Sequence, residues 1–566
     1  MKKYVYLCFL AIALINCRQQ KTAVYDKEAG QGLIAEKGMV VSARKEASDI
    51  GVAILKKGGN AFDAMIATDL ALAVCYPVAG NIGGGGFTVY RLANGKTGAF
   101  DYREKAPFAA SRDMYLDENG EVIPNKSTLG ALAVGVPGTI AGLFKIHEQY
   151  GTLPFADLIQ PAIDLARKGV VVTRKQAEGL KGYLPLFEKA NKKPIFMNRD
   201  WKEGDTIKYP ELANTLERIR DGGRAEFYSG TTADLLVAQV QKLGGIITKQ
   251  DLEKYEAKTR EPIVFSYEKF KIISMAPPSS GGICLAQILK SIEPFDLTEL
   301  GHNSVKYIQL LTEAERRSYA DRAYYLGDPD FVKIPLETLI SSKYNQGRMQ
   351  NFDWQKATSS SAVSRGAIPG FEGDQTTHYS IVDQFGNAVS VTNTLNLGYG
   401  SKVYVEGAGF FLNNEMDDLS VKPGAPNAFG LIGAEANAIA PGKRMLSSMT
   451  PTIVEEGGKL KMVLGSPGGS TIITSVLQNI LNVTEFGMGM QQSVSQPRFH
   501  HQWLPDEIKF EPTFDTTGFQ ELRRLGYHID QSDAPVIGKV DAILRLPNGN
   551  LEGGADPRGD DAAAGY

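Results

Sequence analysis

Thr376 and Thr377 follow a Ser-rich, turn-rich run, Ala357 to Gly373, and open the segment TTHYSIVD. A threonine hydroxyl is a weak nucleophile and needs a base. An N-terminal α-amine can serve, because its pKa of about 7.7–8.0 lies close to working pH. If the bond between Gln375 and Thr376 breaks, Thr376 gains such an amine beside its own hydroxyl. The same hydroxyl can first attack the Gln375 carbonyl and shift the chain from amide to ester, after which water frees the new terminus. One residue would then do both maturation and turnover. A plainer reading competes, since β-branched threonine is at home in any strand. The neighbouring residues decide between the two.

The elements that must hold this threonine are legible nearby. TTHYSIVD and GNAVSVTNTLN alternate β-branched and aromatic residues with polar ones. Gln384-Phe385-Gly386 between them fits a three-residue hairpin loop with Gly in the left-handed position. A hairpin centred on Phe385 puts Thr394 opposite Thr376 and Thr392 opposite His378. Further on, Leu464-Gly465-Ser466-Pro467-Gly468-Gly469-Ser470 links the strand KMVL to the helix TIITSVLQNIL. Tandem glycines at a helix start expose backbone N–H groups at the positive end of the dipole, which suits an oxyanion. An ordinary strand-to-helix turn has the same look.

Upstream, Lys45 to Cys75 predicts two apolar helices split by Gly58-Gly59, with Asn60 capping the second. Gly83-Gly84-Gly85-Gly86 precedes a strand but lacks dinucleotide spacing and a following Lys-Ser/Thr, so it is a packing or loop device. The strand GAFDYREKAP carries Arg103 beside Glu104. Residues 130–180 are helical, and residues 240–265 predict a helix-turn and a strand. Ser304 to Leu326 predicts one long amphipathic helix stopped by Gly327. Residues 409–418 form a strand entering a polar loop. Residues 421–442, rich in Gly, Ala and Pro, suit a mobile cover over a pocket.

The chain has 566 residues, 61 basic and 64 acidic, for a net charge of −3. There is no basic run, so nucleic acid is not an expected partner. A basic start and an apolar core from Tyr4 to Ile15 mark residues 1–17 as a secretory signal, too short for a dependable membrane span. It ends Leu14-Ile15-Asn16-Cys17, close to a bacterial lipoprotein box, although Asn16 departs from the usual small residue. The mature protein is expected in the periplasm, or lipid-anchored there through Cys17. Cys75 and Cys284 sit in apolar helical contexts and read as buried free thiols rather than a disulfide framework. The six His are scattered except His500-His501, whose side chains must diverge, so no metal is expected.

TTHYS, TNTLN, LNNEMDD, PGKRMLSSM and GSPGGS, in this order, resemble the γ-glutamyltranspeptidase (glutathione hydrolase) family of N-terminal nucleophile hydrolases. The likeness extends upstream to NIGGGGF and DYREKAP, and downstream to PRFHHQWLPDE and the C-terminal DPR…DD…AGY. It implies an α+β fold, a four-layer αββα sandwich made by two chains from one self-cleaved precursor. The cut would fall between Gln375 and Thr376, giving a large subunit, 18–375, and a small one, 376–566, held as a heterodimer. The resemblance implies no cofactor. It implies glutathione and other γ-glutamyl compounds as donors, with water, amino acids or dipeptides as acceptors.

Roles carried over suit a γ-glutamyl group, which offers a carboxylate, an ammonium and a scissile carbonyl. By resemblance Arg103 grips the α-carboxylate, a task for a bidentate guanidinium, with hydrogen bonds from Ser447 and Ser448. Asn396, Glu415 and Asp418 match the residues that hold the ammonium; some relatives carry Gln in place of Glu415. Thr394 matches the threonine that steadies the nucleophile's amine. Gly468 and Gly469 match the oxyanion hole. Pro426, Asn427 and Phe429 fall on the lid loop, where relatives often carry an aromatic hydroxyl that Phe429 lacks.

One rival is a cephalosporin (glutaryl) acylase-like amidase of the same fold, whose substrates lack the ammonium. Another is a secreted binding scaffold that never matures. A Ser-His-Asp hydrolase fits poorly, because Ser466 lies in GSPGG rather than a GxSxG elbow.

Overall fold

The computed structural model describes residues 30–363, 376–531 and 536–566. The leader with Cys17, and Gln375 on the far side of the expected cut, lie outside these residues. Two seven-stranded antiparallel sheets form the centre. In the first, the order is Ala562–Gly565, Met39–Ser42, Thr376–Val382, Ala388–Thr394, Gly85–Arg91, Thr97–Asp101, Lys258–Arg260. In the second it is Leu33–Ala35, Leu551–Gly554, Asp541–Arg545, Lys459–Gly465, Thr452–Glu456, Phe270–Ser274, Ile263–Tyr267.

Period-2 alternation sorts the side chains into layers. Met39, Val41, Phe87 and Val89 of the first sheet meet Ile273, Ile453, Val463 and Ile543 of the second, forming a core between the sheets. The opposite face of the first sheet, including Tyr379, Ile381, Val389 and Val391, packs against the helices Lys45–Lys56, Ala61–Cys75 and Thr139–Tyr150. The opposite face of the second, including Ile272, Val454 and Met462, packs against Gly281–Ile292, Val305–Tyr325 and Ile472–Thr484. The result is the expected four-layer sandwich.

Both sheets mix strands from before and after Thr376. Met39–Ser42, for example, lies between Ala562–Gly565 and Thr376–Val382. A cut before Thr376 therefore leaves two chains that share each sheet's hydrogen bonds.

Local signals held where they were local. Asn60 caps Ala61–Cys75 with a full capping box, its side chain accepting from Phe62 and Asp63 N–H. Every residue of that helix is buried, because it lies between the first sheet and further helices. Within it Asp69 accepts from Tyr379 Oη (2.6 Å) and Asn393 Nδ2 (3.0 Å), tying the helix to both strands of the central hairpin. Burial pushes the Asp69 carboxyl up to about 7. Cys75 and Cys284 are buried free thiols.

Three expectations need correction. The strand around Arg103 ends at Asp101, whose Oδ1 accepts the Arg103 N–H (3.0 Å) and turns the chain out of the sheet. Residues 240–265 hold not one strand but the starts of two, Lys258–Arg260 and Ile263–Tyr267, placed in different sheets. The helix Val305–Tyr325 has no broad solvent face: Glu313, Glu315, Arg316, Arg317, Asp321 and Arg322 are all buried. Their partners come from distant segments, such as Gln287 and Tyr344 for Asp321 (2.9 Å each). Helical spacing alone cannot show a polar face covered by other parts of the chain.

Candidate active site

Thr376 is the first residue of its strand and stands directly opposite Thr394, with Thr392 opposite His378, as the hairpin arithmetic requires. The Thr376 and Thr394 hydroxyls are 3.3 Å apart. Thr394 Oγ1 accepts the Asn396 N–H (2.8 Å), so its own hydrogen is free to turn toward Thr376. Asn396 holds a left-handed backbone, φ +73°, which Asn tolerates better than most residues. The Thr394 carbonyl is held by Asn81 Nδ2 (2.8 Å). A Cβ on Gly84 would come within 2.1 Å of that carbonyl oxygen. The glycine run is thus a close-packing device against the strand that bears Thr394.

His378 is the nearest imidazole in sequence. Its Nδ1 pairs with Thr392 Oγ1 (2.9 Å) and its Nε2 with Ser380 Oγ (3.1 Å). Burial drives its pKa down to about 3. Buried and engaged at both ring nitrogens, it is a weak base with no contact to the Thr376 hydroxyl among its hydrogen bonds.

Arg103 is buried, with its carbonyl accepting from Tyr255 Oη (2.7 Å). Its guanidinium meets Asp418 at 2.5 Å, Glu415 at 3.0 Å and Glu104 at 3.5 Å. Burial opposes its charge, but Glu415, Glu104 and Asp418 outweigh that and raise its pKa further. Burial likewise pushes the three acids up against the pull of Arg103, Glu104 to about 7 and Glu415 well above the usual range. Three acids thus crowd one guanidinium. Glu415 Oε2 pairs with Arg103, and its Oε1 has no hydrogen-bond partner among the described residues.

Ser447 and Ser448 follow Leu446, whose N–H donates to Asn437 Oδ1 (3.1 Å). Ser447 Oγ accepts the Met449 N–H (3.1 Å), and Ser448 Oγ accepts from Arg322 Nη2 (3.1 Å). Gly468 and Gly469 have φ of +133° and +54°. The Gly468 carbonyl accepts from Thr471 N (2.9 Å) and Thr471 Oγ1 (2.8 Å). A planar trans peptide then turns the Gly469 N–H the opposite way. Neither glycine's N–H has an acceptor among the described residues. Phe429 lies over Gly469, where an added Cβ would sit 2.3 Å from its ring. A Gly469→Ala variant should therefore both strain a left-handed backbone and displace Phe429. We expect kcat per cut molecule to fall about 10²–10³-fold, as when an oxyanion donor is lost. Wild-type kcat in that variant would remove Gly469 from the chemistry.

The segment 421–442 is tied down at several points. Asn427 Nδ2 donates to Asp418 Oδ1 (2.9 Å), the Ala428 N–H to Asp417 (2.8 Å), and Gln502 Nε2 to the Phe429 carbonyl (3.1 Å). Phe429 is held by its backbone and ring packing, with no hydroxyl.

Thr376, Thr394, Arg103, Asn396, Asp418, Phe429, Ser447, Ser448 and Gly469 line a single cleft of about 280 Å³, mouth included. Gly468 precedes Gly469 in the chain and is not among the lining residues. Glu415 is buried against Arg103 rather than lining the cleft. Pro426 and Asn427 line an adjoining hollow that shares Arg322 and Asp418 with the cleft. Two residues in this site escaped the sequence reading. Glu104 was seen beside Arg103 but given no place, and Arg322 was hidden in a helix without any motif. A run of charges at apolar helical positions was the only signal for Arg322.

Comparison with known proteins bears on this geometry. The profile of the gamma-glutamyltranspeptidase family matches residues 47–566. The glutathione hydrolase proenzyme of Escherichia coli is 47% identical over 94% of this chain and 92% of its own length. The crystal structure of a cephalosporin acylase from Bacillus halodurans superposes with a TM-score of 0.83 at 26% identity, covering 94% of this chain and 97% of the other. The Helicobacter pylori gamma-glutamyltranspeptidase structure shares 44% identity over 61% of this chain and 97% of its own, with a TM-score of 0.56. A match of this extent, with the threonine pair, the arginine and the second of the tandem glycines meeting in one cleft, makes this chain a member of the gamma-glutamyltranspeptidase family.

Proposed function

We infer that the protein is a γ-glutamyltransferase and glutathione hydrolase that cuts itself before Thr376. The Thr376 hydroxyl attacks the preceding carbonyl, the amide C–N bond breaks to free the α-amine, and water then cleaves the resulting ester, releasing the Gln375 carboxylate and restoring the hydroxyl. That amine then takes the hydroxyl proton as Thr376 attacks the γ-carbonyl of glutathione or another γ-glutamyl compound. Thr394 steadies the amine, and the Gly468 and Gly469 N–H groups meet the developing oxyanion. Cysteinylglycine leaves with the proton. Water, an amino acid or a dipeptide then takes the γ-glutamyl group from Thr376, in ping-pong order. The observation that carries this reading is the 3.3 Å approach of Thr376 to Thr394 in the cleft that Arg103 lines.

The acylase rival shares the fold, so the choice rests on charge. Three carboxyls surround the single guanidinium of Arg103, and burial favours their protonated form. A ligand ammonium beside them would favour their charged form and be held by it, and a glutaryl group brings none. The purified, cut protein should therefore prefer a γ-glutamyl anilide over the glutaryl anilide by about 100-fold or more in kcat/KM. Equal or reversed preference would favour the acylase.

The interleaved sheets support a stable pairing of the chains 18–375 and 376–566 after the cut. The leader, residues 1–17, supports export to the periplasm, with Cys17 as a candidate lipid anchor. Asn427 and Phe429, bound to Asp418 and Gln502 through segment 421–442, support that segment as a lid over the acyl site.

A further inference from the structure

Arg322 is a cation without a close counter-charge. It lies in the last turn of the helix Val305–Tyr325, is buried, and lines both the cleft and the hollow beside it. Its Nε donates to Ser280 Oγ (2.9 Å) and its Nη2 to Ser448 Oγ (3.1 Å). Among the described residues no carboxylate pairs with it, whereas Arg103 faces three. Burial lowers its pKa from the usual arginine value, with Asp418 pulling it up and Arg103 down. A guanidinium nevertheless stays charged at working pH. Buried charges in proteins are normally paired. A buried guanidinium that meets only hydroxyls, beside an open cleft, therefore points to an anion that arrives with the ligand.

Hydroxyl orientation points the same way. Ser448 Oγ spends a lone pair on Arg322, so its hydrogen is free to donate. Ser280 Oγ, accepting from Arg322, donates to the Ser447 carbonyl (2.7 Å), which also takes the Ser280 N–H (2.8 Å). Ser447 Oγ accepts from the Met449 N–H and keeps its own hydrogen to donate. One guanidinium thus braces the Ser447-Ser448 turn, leaving both hydroxyls as donors.

Resting on the γ-glutamyl reading above, we propose that Arg322 is a positioning residue for the substrate α-carboxylate. It orients Ser448 directly and Ser447 through Ser280. It also adds positive potential that Arg103, already faced by three acids, does not supply alone.

Three anilides isolate the carboxylate: γ-glutamyl, glutaryl (carboxylate without ammonium) and 4-aminobutyryl (ammonium without carboxylate). For Arg322→Met we expect KM for the γ-glutamyl anilide to rise on the order of 10–100-fold, with kcat for cut enzyme within about threefold. The glutaryl anilide should lose a similar factor in kcat/KM. The 4-aminobutyryl anilide, slow with the wild type, should lose no more than about threefold. Arg322→Lys keeps the charge but cannot hold both serines, and should fall between. If Arg322→Met does not mature, Arg322→Lys carries the test with the same three substrates. Equal losses on all three substrates would make Arg322 merely structural and overturn the proposal. Failure of the underlying reading looks different: the wild type itself would show no preference for the γ-glutamyl anilide.

Discussion

Thr376→Ala should yield one uncut chain and lose at least about 10⁴-fold in γ-glutamyl transfer, the scale on which removal of a catalytic nucleophile is felt. Two events fail together because both use one oxygen. Without it there is no amide-to-ester shift, so no new amino terminus forms, and no acyl-enzyme can follow. Thr376 opens an interior strand of the first sheet and is buried, and alanine fills its place with the loss of a hydroxyl and a methyl. The fold should survive, which separates lost chemistry from lost structure. A denaturing gel reads the cut and an anilide assay reads the turnover. Thr376→Ser provides the control, since it keeps the hydroxyl and should retain cutting and activity at reduced rates. A Thr376→Ala protein that is cut and active would remove the nucleophile assignment.

Arg103→Lys should raise KM for γ-glutamyl substrates about 100-fold, because a lysine cannot reproduce a two-pronged grip on a carboxylate. Alanine is the simplest truncation at this position. The structure argues against it. Arg103 faces Asp418, Glu415 and Glu104, all in a buried setting. Deleting the guanidinium strands these acids at a cost of about 3–5 kcal/mol, so Arg103→Ala would mix binding with instability. Lysine keeps a cation among the acids and tests geometry instead. The measurement is KM and kcat on cut enzyme, with the melting temperature alongside. An unchanged KM would assign the carboxylate to other residues, and Arg322 with Ser448 is where to look next.

The central hairpin was legible to the residue. Its register follows from a two-residue side-chain period and one short loop, both local properties, and Thr394 falls opposite Thr376 as expected. The Asn60 cap and the turn before Ile472–Thr484 were legible for the same reason. Motif order carried the family and, with it, the layered fold. Arg103 was legible as a residue but not as an environment. Its surroundings come from Glu415 and Asp418, some three hundred residues away. Arg322 had no local mark at all.

By itself, then, the sequence determined which chemical groups are present and how neighbouring ones line up along a strand or at a helix start. Only the tertiary structure decided that three acids share one guanidinium, that a second guanidinium meets hydroxyls alone, and that both sheets mix strands from either side of Thr376. Those outcomes depend on burial, and burial is set by what the whole chain packs around a residue, not by the residues beside it.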